Sequence, residues 1–343
     1  MTPFAEILER RLDPGASAPL AVALSGGGDS LALLHLTLDW ANRNGRPVLA
    51  LTVDHGLNSE SAGWTAEAGA RAKRLGADWQ ALAWAGPKPS TGIQARARSA
   101  RHALLAQAAR TAGARVLLMG HTADDIAESE AMRASDAPGL GRLREWSPSP
   151  AWPAGRGVFL LRPLLGVRRA DLRAYLEDRG AQWHDDPANA DRRFARVRAR
   201  QTLAARTDAP QSQEALDLDP AIPALAHSFW FSPDAVHAAL HALTTAPPAI
   251  ARPVVAAALL SVSGTDRPPR RAELDRLLDN IAAGAPSNLA GCWIAAHEAA
   301  VSIVREPPRR GRPPRAEEPM AWVQARFEAA CGLVPCERSA PSV

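Results

Sequence analysis

Short apolar runs alternate with helix-length amphipathic segments from Leu20 onward. The runs are Leu20–Leu24, Val48–Val53, Trp79–Trp84 and Val116–Met119, and between them lie Ser30–Arg43, Glu60–Leu75 and Gln94–Thr111. Each intervening segment is long enough for a helical crossover, so the runs must pair as parallel strands covered on both faces. The first half therefore reads as an α/β, doubly wound parallel sheet. After Met132 the pattern loosens into the Pro/Gly/Ser-rich stretch Ala137–Gly157, read as a surface loop, and recovers with Val158–Leu165 and a helix over Arg168–Arg179. The punctuated segment Asp208–Pro220 marks a domain boundary. Beyond it Pro233–Leu243, Pro253–Leu260 and Arg271–Ala283 read as helices, and Leu289–Arg305 reads as a β-hairpin turning near Ala296–Ala299. The expectation is one domain over residues 1–207 and a smaller, mainly helical C-terminal domain over 208–343.

A length of 343 residues fits two domains, and 46% hydrophobic with 22% charged residues excludes a disordered chain. No apolar run approaches the roughly 20 residues that cross a bilayer, and Met1–Arg10 has no basic segment followed by an apolar block. A cytoplasmic protein with no membrane partner is expected. Cys292, Cys331 and Cys336 contain no CxxC pair, so neither a disulfide framework nor a zinc ribbon is indicated, and no structural metal is expected. Lys73 and Lys88 are the only lysines; nearly all positive charge is arginine, which forks onto phosphate and stacks on bases. Codon usage accounts for that choice as well as function does, so only the placement of the arginines is informative.

The clearest chemical signal is Ser25-Gly26-Gly27-Gly28-Asp29-Ser30, directly after the first strand and opening a helix. Glycines let the backbone turn tightly and aim N–H groups inward, and the helix N-terminus adds positive potential, which together bind a phosphate or pyrophosphate. The loop has no lysine for a Walker A motif, and Leu31 stands where a dinucleotide loop has its third glycine. A second cluster, His121-Thr122-Ala123-Asp124-Asp125-Ile126-Ala127-Glu128, follows the strand at Val116. On a helix Asp125 and Glu128 share a face and could hold Mg²⁺; equally, Thr122 and Asp125 could form a capping box with a solvated acidic turn. Asp54 and His55 end the second strand, where turn chemistry is an alternative to nucleotide contact. Arg96, Arg98 and Arg101 lie on one helix. Five arginines crowd between Arg192 and Arg200, Arg192, Arg193, Arg196, Arg198 and Arg200, with no acid among them. RNA phosphates or a triphosphate would balance them, as would Asp185, Asp186 and Asp191 on a solvated helix.

The loop resembles the SGGxDS loop of the PP-loop ATP pyrophosphatases, which cleave ATP between the α and β phosphates and transfer AMP to an oxygen. Within that superfamily the chain is most similar to the tRNA(Ile)-lysidine synthases. Thr52-Val53-Asp54-His55-Gly56-Leu57 resembles their VDHGLR, with Asn58 for arginine; the second cluster resembles HxxDDxxET; Arg96 to His102 resembles AR-x-x-RY, with His102 for tyrosine; and Asp185 to Arg200 resembles DPSNxDxxYxRNRIR. The resemblance runs from Leu20 to about Arg200, with weaker matches at Asn288–Pro307 and Trp322–Glu328. It implies an adenine nucleotide alpha hydrolase-like fold and ATP at Ser25–Ser30. It also implies Asp54, His55 and His121 near the nucleotide, and a catalytic or Mg²⁺ role for Asp124, Asp125 and Glu128. Contacts to tRNA or phosphate would come from Arg96, Arg98, Arg101, Arg196, Arg198 and Arg200, with the C-terminal domain helping to bind tRNA. The reaction implied is adenylation of the C2 oxygen of the wobble cytidine of tRNA(Ile) with a CAU anticodon, then attack by L-lysine and release of AMP. Thiolating relatives need cysteines near the site, and residues 1–291 contain none. The chain departs from the family at Ile126, at Ser129 and at Arg133-Ala134-Ser135-Asp136, with Pro138-Gly139-Leu140-Gly141 resembling a remnant of the family's following GLxGM.

Overall fold

The computed structural model describes residues 2–86, 88, 91–134, 145–147, 157–184, 220–265, 269–307, 319–331 and 333. It has two compact units, one of Met1–Pro150 with Val158–Leu216 and one of Ala151–Gly157 with Asp217–Val343.

The first unit opens with helix α1 (Thr2–Arg11) and then runs β1 (Leu20–Ala23), α2 (Gly28–Arg43), β2 (Val48–Asp54), α3 (Ser61–Arg74), β3 (Asp78–Ala83), α4 (Ile93–Thr111), β4 (Val116–Leu118), α5 (Ala123–Ala134), β5 (Trp146–Ser147), β6 (Phe159–Leu161) and α6 (Arg169–Glu177). The strand order is β3-β2-β1-β4-β6-β5. Five strands are parallel, and only the edge strand β5 runs antiparallel, against β6. Leu20 pairs with Val48 on one side and with Val116 on the other, which makes β1 the central strand. Leu20, Ala21 and Val22 are fully buried, as strands covered by helices on both faces must be. From β1 the chain moves outward to β2 and β3, then α4 returns it to β4 on the other side of β1. The strand direction of travel therefore reverses between β1 and β4, and open α/β sheets bind ligands at such a crevice.

The four strands and three crossovers of the first half lie where the hydrophobic pattern puts them. Two features differ. Helix α1 has no counterpart in that pattern, and the stretch expected as a surface loop contains β5 and the buried Glu145, whose two carboxylate oxygens each accept a 2.7 Å bond from Arg10 and Arg11. That ion pair couples α1 to the sheet edge, a long-range contact with no periodic signature.

The second unit contains α7 (Ala221–Ala226), β7 (Phe229–Phe231), β8 (Val236–Ala239), α8 (Leu240–Thr245), α9 (Pro248–Ser263), α10 (Arg271–Ala282), β9 (Ser287–Leu289), β10 (Cys292–His297), β11 (Ala300–Arg305) and α11 (Met320–Cys331). Its antiparallel sheet has the order β7-β8-β11-β10-β9, and one face packs on α9, α10 and α11 through Val236, Ala238, Val301, Ile303, Cys292 and Ile294. The expected hairpin is β10–β11. The helix expected over Pro233–Leu243 is instead strand β8 followed by the short α8, because Val236 and Ala238 point inward while His237 points outward, a two-residue period hidden by alanine-rich composition.

In the first unit Gly69 of α3 leaves room for Trp79, whose ring would lie 2.5 Å from an added Cβ and whose Nε1 donates to Thr52 Oγ1 at 3.0 Å. Alanine in place of this glycine gains about 1 kcal/mol of helix propensity but costs about 1–3 kcal/mol of overpacking. Gly69→Ala is expected to lower the urea midpoint in the wild-type background and to raise it in a Trp79→Leu background, where the indole is gone. A raised midpoint in both backgrounds would contradict this packing.

Candidate active site

The loop between β1 and α2 forms the floor of the crevice. Gly26 has φ +87°, a conformation that glycine adopts without strain. Ser30 Oγ accepts from Ser25 N–H at 3.1 Å and donates to the Gly27 carbonyl at 2.9 Å, which closes the loop on itself. Gly120, just beyond β4, lies so close that an added Cβ would meet the Asp29 carbonyl oxygen at 3.0 Å. From the other side the Trp183 ring would touch a Cβ at Gly28 at 3.4 Å, and His184 N–H donates to the Gly26 carbonyl at 3.0 Å. The His184 ring stacks on Trp64 of α3 at 4.4 Å, with its Nε2 buried and lacking a hydrogen-bond partner among the described residues. The three glycines thus serve two needs, a left-handed turn at Gly26 and close packing of the loop between neighbours.

Beyond β4, Thr122 caps α5. Its N–H and Oγ1 donate to Asp125 Oδ2 at 2.8 and 3.0 Å, which is the carboxylate half of a capping box. It does not exhaust the acidic cluster. Asp125 Oδ1 accepts from Arg169 Nη2 at 3.3 Å, Glu128 Oε1 from Arg169 Nη1 at 3.2 Å, and Asp29 Oδ2 from Arg169 Nε at 2.9 Å. Asp124 Oδ2 accepts the Arg169 backbone N–H at 2.8 Å. One arginine at the start of α6 therefore joins the phosphate loop to α5. Glu128 and Asp125 are buried, and His121 beside them is buried as well. Burial raises the Asp29 carboxyl above the usual range; the Arg169 contact opposes this, and the charges of Asp125 and Asp124 add to it.

Asp54, His55 and Arg101 meet at the end of β2. Asp54 Oδ1 accepts from Gly56 N–H at 2.8 Å, which is the turn chemistry expected of it. Burial lowers the His55 pKa, and the neighbouring Arg101 charge lowers it further, so the imidazole is held neutral. Its buried Nδ1 has no hydrogen-bond partner among the described residues, and its ring meets Trp84 edge-on at 6.1 Å. Lys88 sits over the same Trp84, 4.1 Å from the ring centre. Arg96 and Arg98 of α4 are exposed. Arg98 lies near the buried Arg162, whose pKa burial brings down to about 10 with the Arg98 charge helping. Arg192, Arg193, Arg196, Arg198 and Arg200 lie outside the described residues.

Arg169, Gly120, Trp64, Trp183 and His184 escaped the reading of the sequence. Arg169 carried one signal, since a basic residue in the first turn of a helix opposes the helix dipole and implies an acidic partner. The others act through packing, which leaves no local pattern.

The four carboxylates are hard oxygen donors suited to Mg²⁺, although among the described residues no group of three or more His, Cys, Asp or Glu is arranged as a ready metal cage. Mg²⁺ needs none, because it commonly binds through one or two carboxylates with phosphates and water completing the octahedron. The donor set fits an ion that arrives with a nucleotide. The loop itself depends on the Gly120 contact: Gly120→Ala is expected to push the Asp29 backbone away and weaken ATP binding at least tenfold by calorimetric titration, with far-UV circular dichroism unchanged. Undiminished ATP affinity would contradict the assigned packing.

The model of the PP-loop domain matches residues 2–207. The chain is 49% identical over 305 residues to the tRNA(Ile)-lysidine synthase of Caulobacter vibrioides, covering 87% of this chain and 69% of that one. It is 38% identical to the synthase of Hyphomonas neptunium, covering 84% of this chain and 82% of that one. It is also 38% identical to that of Methylobacterium nodulans, covering 90% and 96%. Among solved structures, the U34-tRNA thiolase NcsA from Methanococcus maripaludis shares the fold, with a TM-score of 0.50 at 16% identity over 60% of this chain and 72% of that one. With a PP-loop domain model matching residues 2–207 and a relative 38% identical that the chain covers to 96% of its length, the chain belongs to the tRNA(Ile)-lysidine synthase family.

Proposed function

We propose that the protein uses ATP to ligate lysine to C2 of the wobble cytidine of tRNA(Ile), in the cytoplasm. The observation that carries this reading is the apposition, across the β1–β4 crevice, of a phosphate loop bearing Asp29 and the three carboxylates Asp124, Asp125 and Glu128 of α5, joined by Arg169. In the first step the cytidine O2 attacks the α phosphorus of ATP, the bond to the β-phosphate oxygen breaks, and pyrophosphate leaves from the loop of Ser25–Ser30. In the second, the deprotonated lysine amine attacks C2, the C2–O bond breaks, AMP leaves, and the amine gives up a proton. No thiol is needed, which suits a chain without cysteine in residues 1–291.

The residues divide the work by charge. Backbone N–H groups of the loop and the N-terminus of α2 attract the phosphates. Mg²⁺, held by Asp29 or by Asp124, Asp125 and Glu128, would supply charge neutralisation for the departing pyrophosphate. Three carboxylates share one guanidinium and a fourth, Asp124, accepts the backbone N–H of the same residue, a concentration of acid that suits both a divalent ion and the ammonium group of lysine. Asp54, His55 and His121 stand near the nucleotide. Arg96, Arg98 and Arg101, with Arg196, Arg198 and Arg200, meet tRNA or triphosphate, and the C-terminal domain, residues 208–343, helps to bind tRNA.

Pyrophosphate release is expected to depend on added tRNA(Ile) and to vanish in Asp29→Ala, whose tRNA affinity in a filter assay stays within about twofold of wild type. Release without tRNA would contradict the proposal, as would equal loss of tRNA binding. Replacing Arg196, Arg198 and Arg200 together by glutamine is expected to weaken tRNA binding and to make its salt dependence shallower, by roughly one unit of slope for each phosphate no longer neutralised. If ATP affinity falls instead while the salt slope is unchanged, the three arginines belong to the triphosphate.

A further inference from the structure

Every carboxylate of the acidic cluster has an oxygen committed to Arg169. The guanidinium takes Asp29 at 2.9 Å, Glu128 at 3.2 Å and Asp125 at 3.3 Å, the backbone N–H takes Asp124 at 2.8 Å, and the remaining Asp125 oxygen is held by Thr122. A divalent ion would compete with this guanidinium for the same carboxylates. The guanidinium charge also repels it. Among the described residues the four carboxylates, three of them on one helix, form no cation cage.

We propose that Arg169 is the resident counter-ion of this cluster and excludes Mg²⁺ until a nucleotide arrives, so that metal and ATP enter together. The inference rests on the proposed Mg²⁺ role of these carboxylates. Its chemistry is an exchange of partners. Phosphate oxygens give a guanidinium a bidentate anionic partner and give the metal the ligands it otherwise lacks, so the nucleotide releases the carboxylates and completes the coordination at one stroke. Arg169 is thus a positioning residue for the carboxylates. A strut and a counter-ion differ in what their removal does. Loss of a strut lowers stability and leaves cation affinity unchanged or weaker; loss of a counter-ion tightens cation binding in the absence of nucleotide.

Mn²⁺ serves as the probe for Mg²⁺ and is followed by electron paramagnetic resonance on the full chain. Wild type without nucleotide is expected to show no micromolar Mn²⁺ site, and to acquire one with a non-hydrolysable ATP analogue. Arg169→Gln is expected to bind Mn²⁺ without nucleotide at least tenfold more tightly than wild type, and to gain melting temperature on adding Mn²⁺ alone. Arg169→Lys keeps the charge and is expected to stay within about threefold of wild type. A micromolar Mn²⁺ site in nucleotide-free wild type overturns the inference without recourse to any variant. Unchanged Mn²⁺ affinity in a folded Arg169→Gln protein overturns it while leaving the metal role of the cluster intact, provided wild type still binds Mn²⁺ with the analogue. Absence of Mn²⁺ binding even with the analogue overturns both.

Discussion

The contact between Arg169 and its carboxylates is the constraint on which the crevice depends. Asp29 comes from the phosphate loop, Asp125 and Glu128 from α5, and Arg169 from the first turn of α6, three segments far apart in sequence. Glu128 is 1% exposed and could not be buried as an anion without a cation against it. Removing one member of such a buried set typically costs about 3–5 kcal/mol, because the remaining charges are left uncompensated. The same contact sets the chemistry. It holds Asp29 at the mouth of the loop, beside the position where a phosphate would sit, and it concentrates negative charge on the opposite wall. In the proposed function the anion and cation sites thus face each other across the crevice.

Packing fixes the rest of the geometry. Gly120 presses on the backbone of Asp29, Trp183 covers Gly28, and His184 is bonded to Gly26, so the loop is held on its flanks by the segments after β4 and after α6. A loop whose N–H groups are aimed in advance gives up less freedom when it takes up an anion. Trp183 and His184 immediately precede Asp185, where the arginine-rich segment begins.

The parallel sheet was legible because its strands are continuous apolar runs separated by crossovers, and Leu20–Ala23 and Val116–Leu118 announce themselves by hydrophobicity alone. The loop was legible because three successive glycines after a buried strand are unusual. The acidic cluster was half legible: its letters allowed a cap or a Mg²⁺ site, and Asp125 places one oxygen on Thr122 and the other on Arg169, a partner that neither reading named. Arg169 itself was not seen, since its partners lie 140, 44 and 41 residues away. In the second unit β8 was hidden because alanine is ambivalent between helix and strand, and its sheet neighbours Phe229–Phe231 and Ala300–Ile303 decide the matter.

The account makes the reaction an adenylation followed by attack of an amine, on a fold that the thiolating NcsA shares. The most direct test is the identity of the product. The protein would be incubated with unmodified tRNA(Ile) transcript, ATP, Mg²⁺ and isotopically labelled lysine, and the wobble nucleoside analysed by mass spectrometry after digestion. The account predicts a cytidine derivative that carries the lysine label, formed with one AMP and one pyrophosphate for each tRNA modified. An unlabelled wobble cytidine despite pyrophosphate release, or a sulfur-containing nucleoside formed when a sulfur donor is supplied, would contradict it.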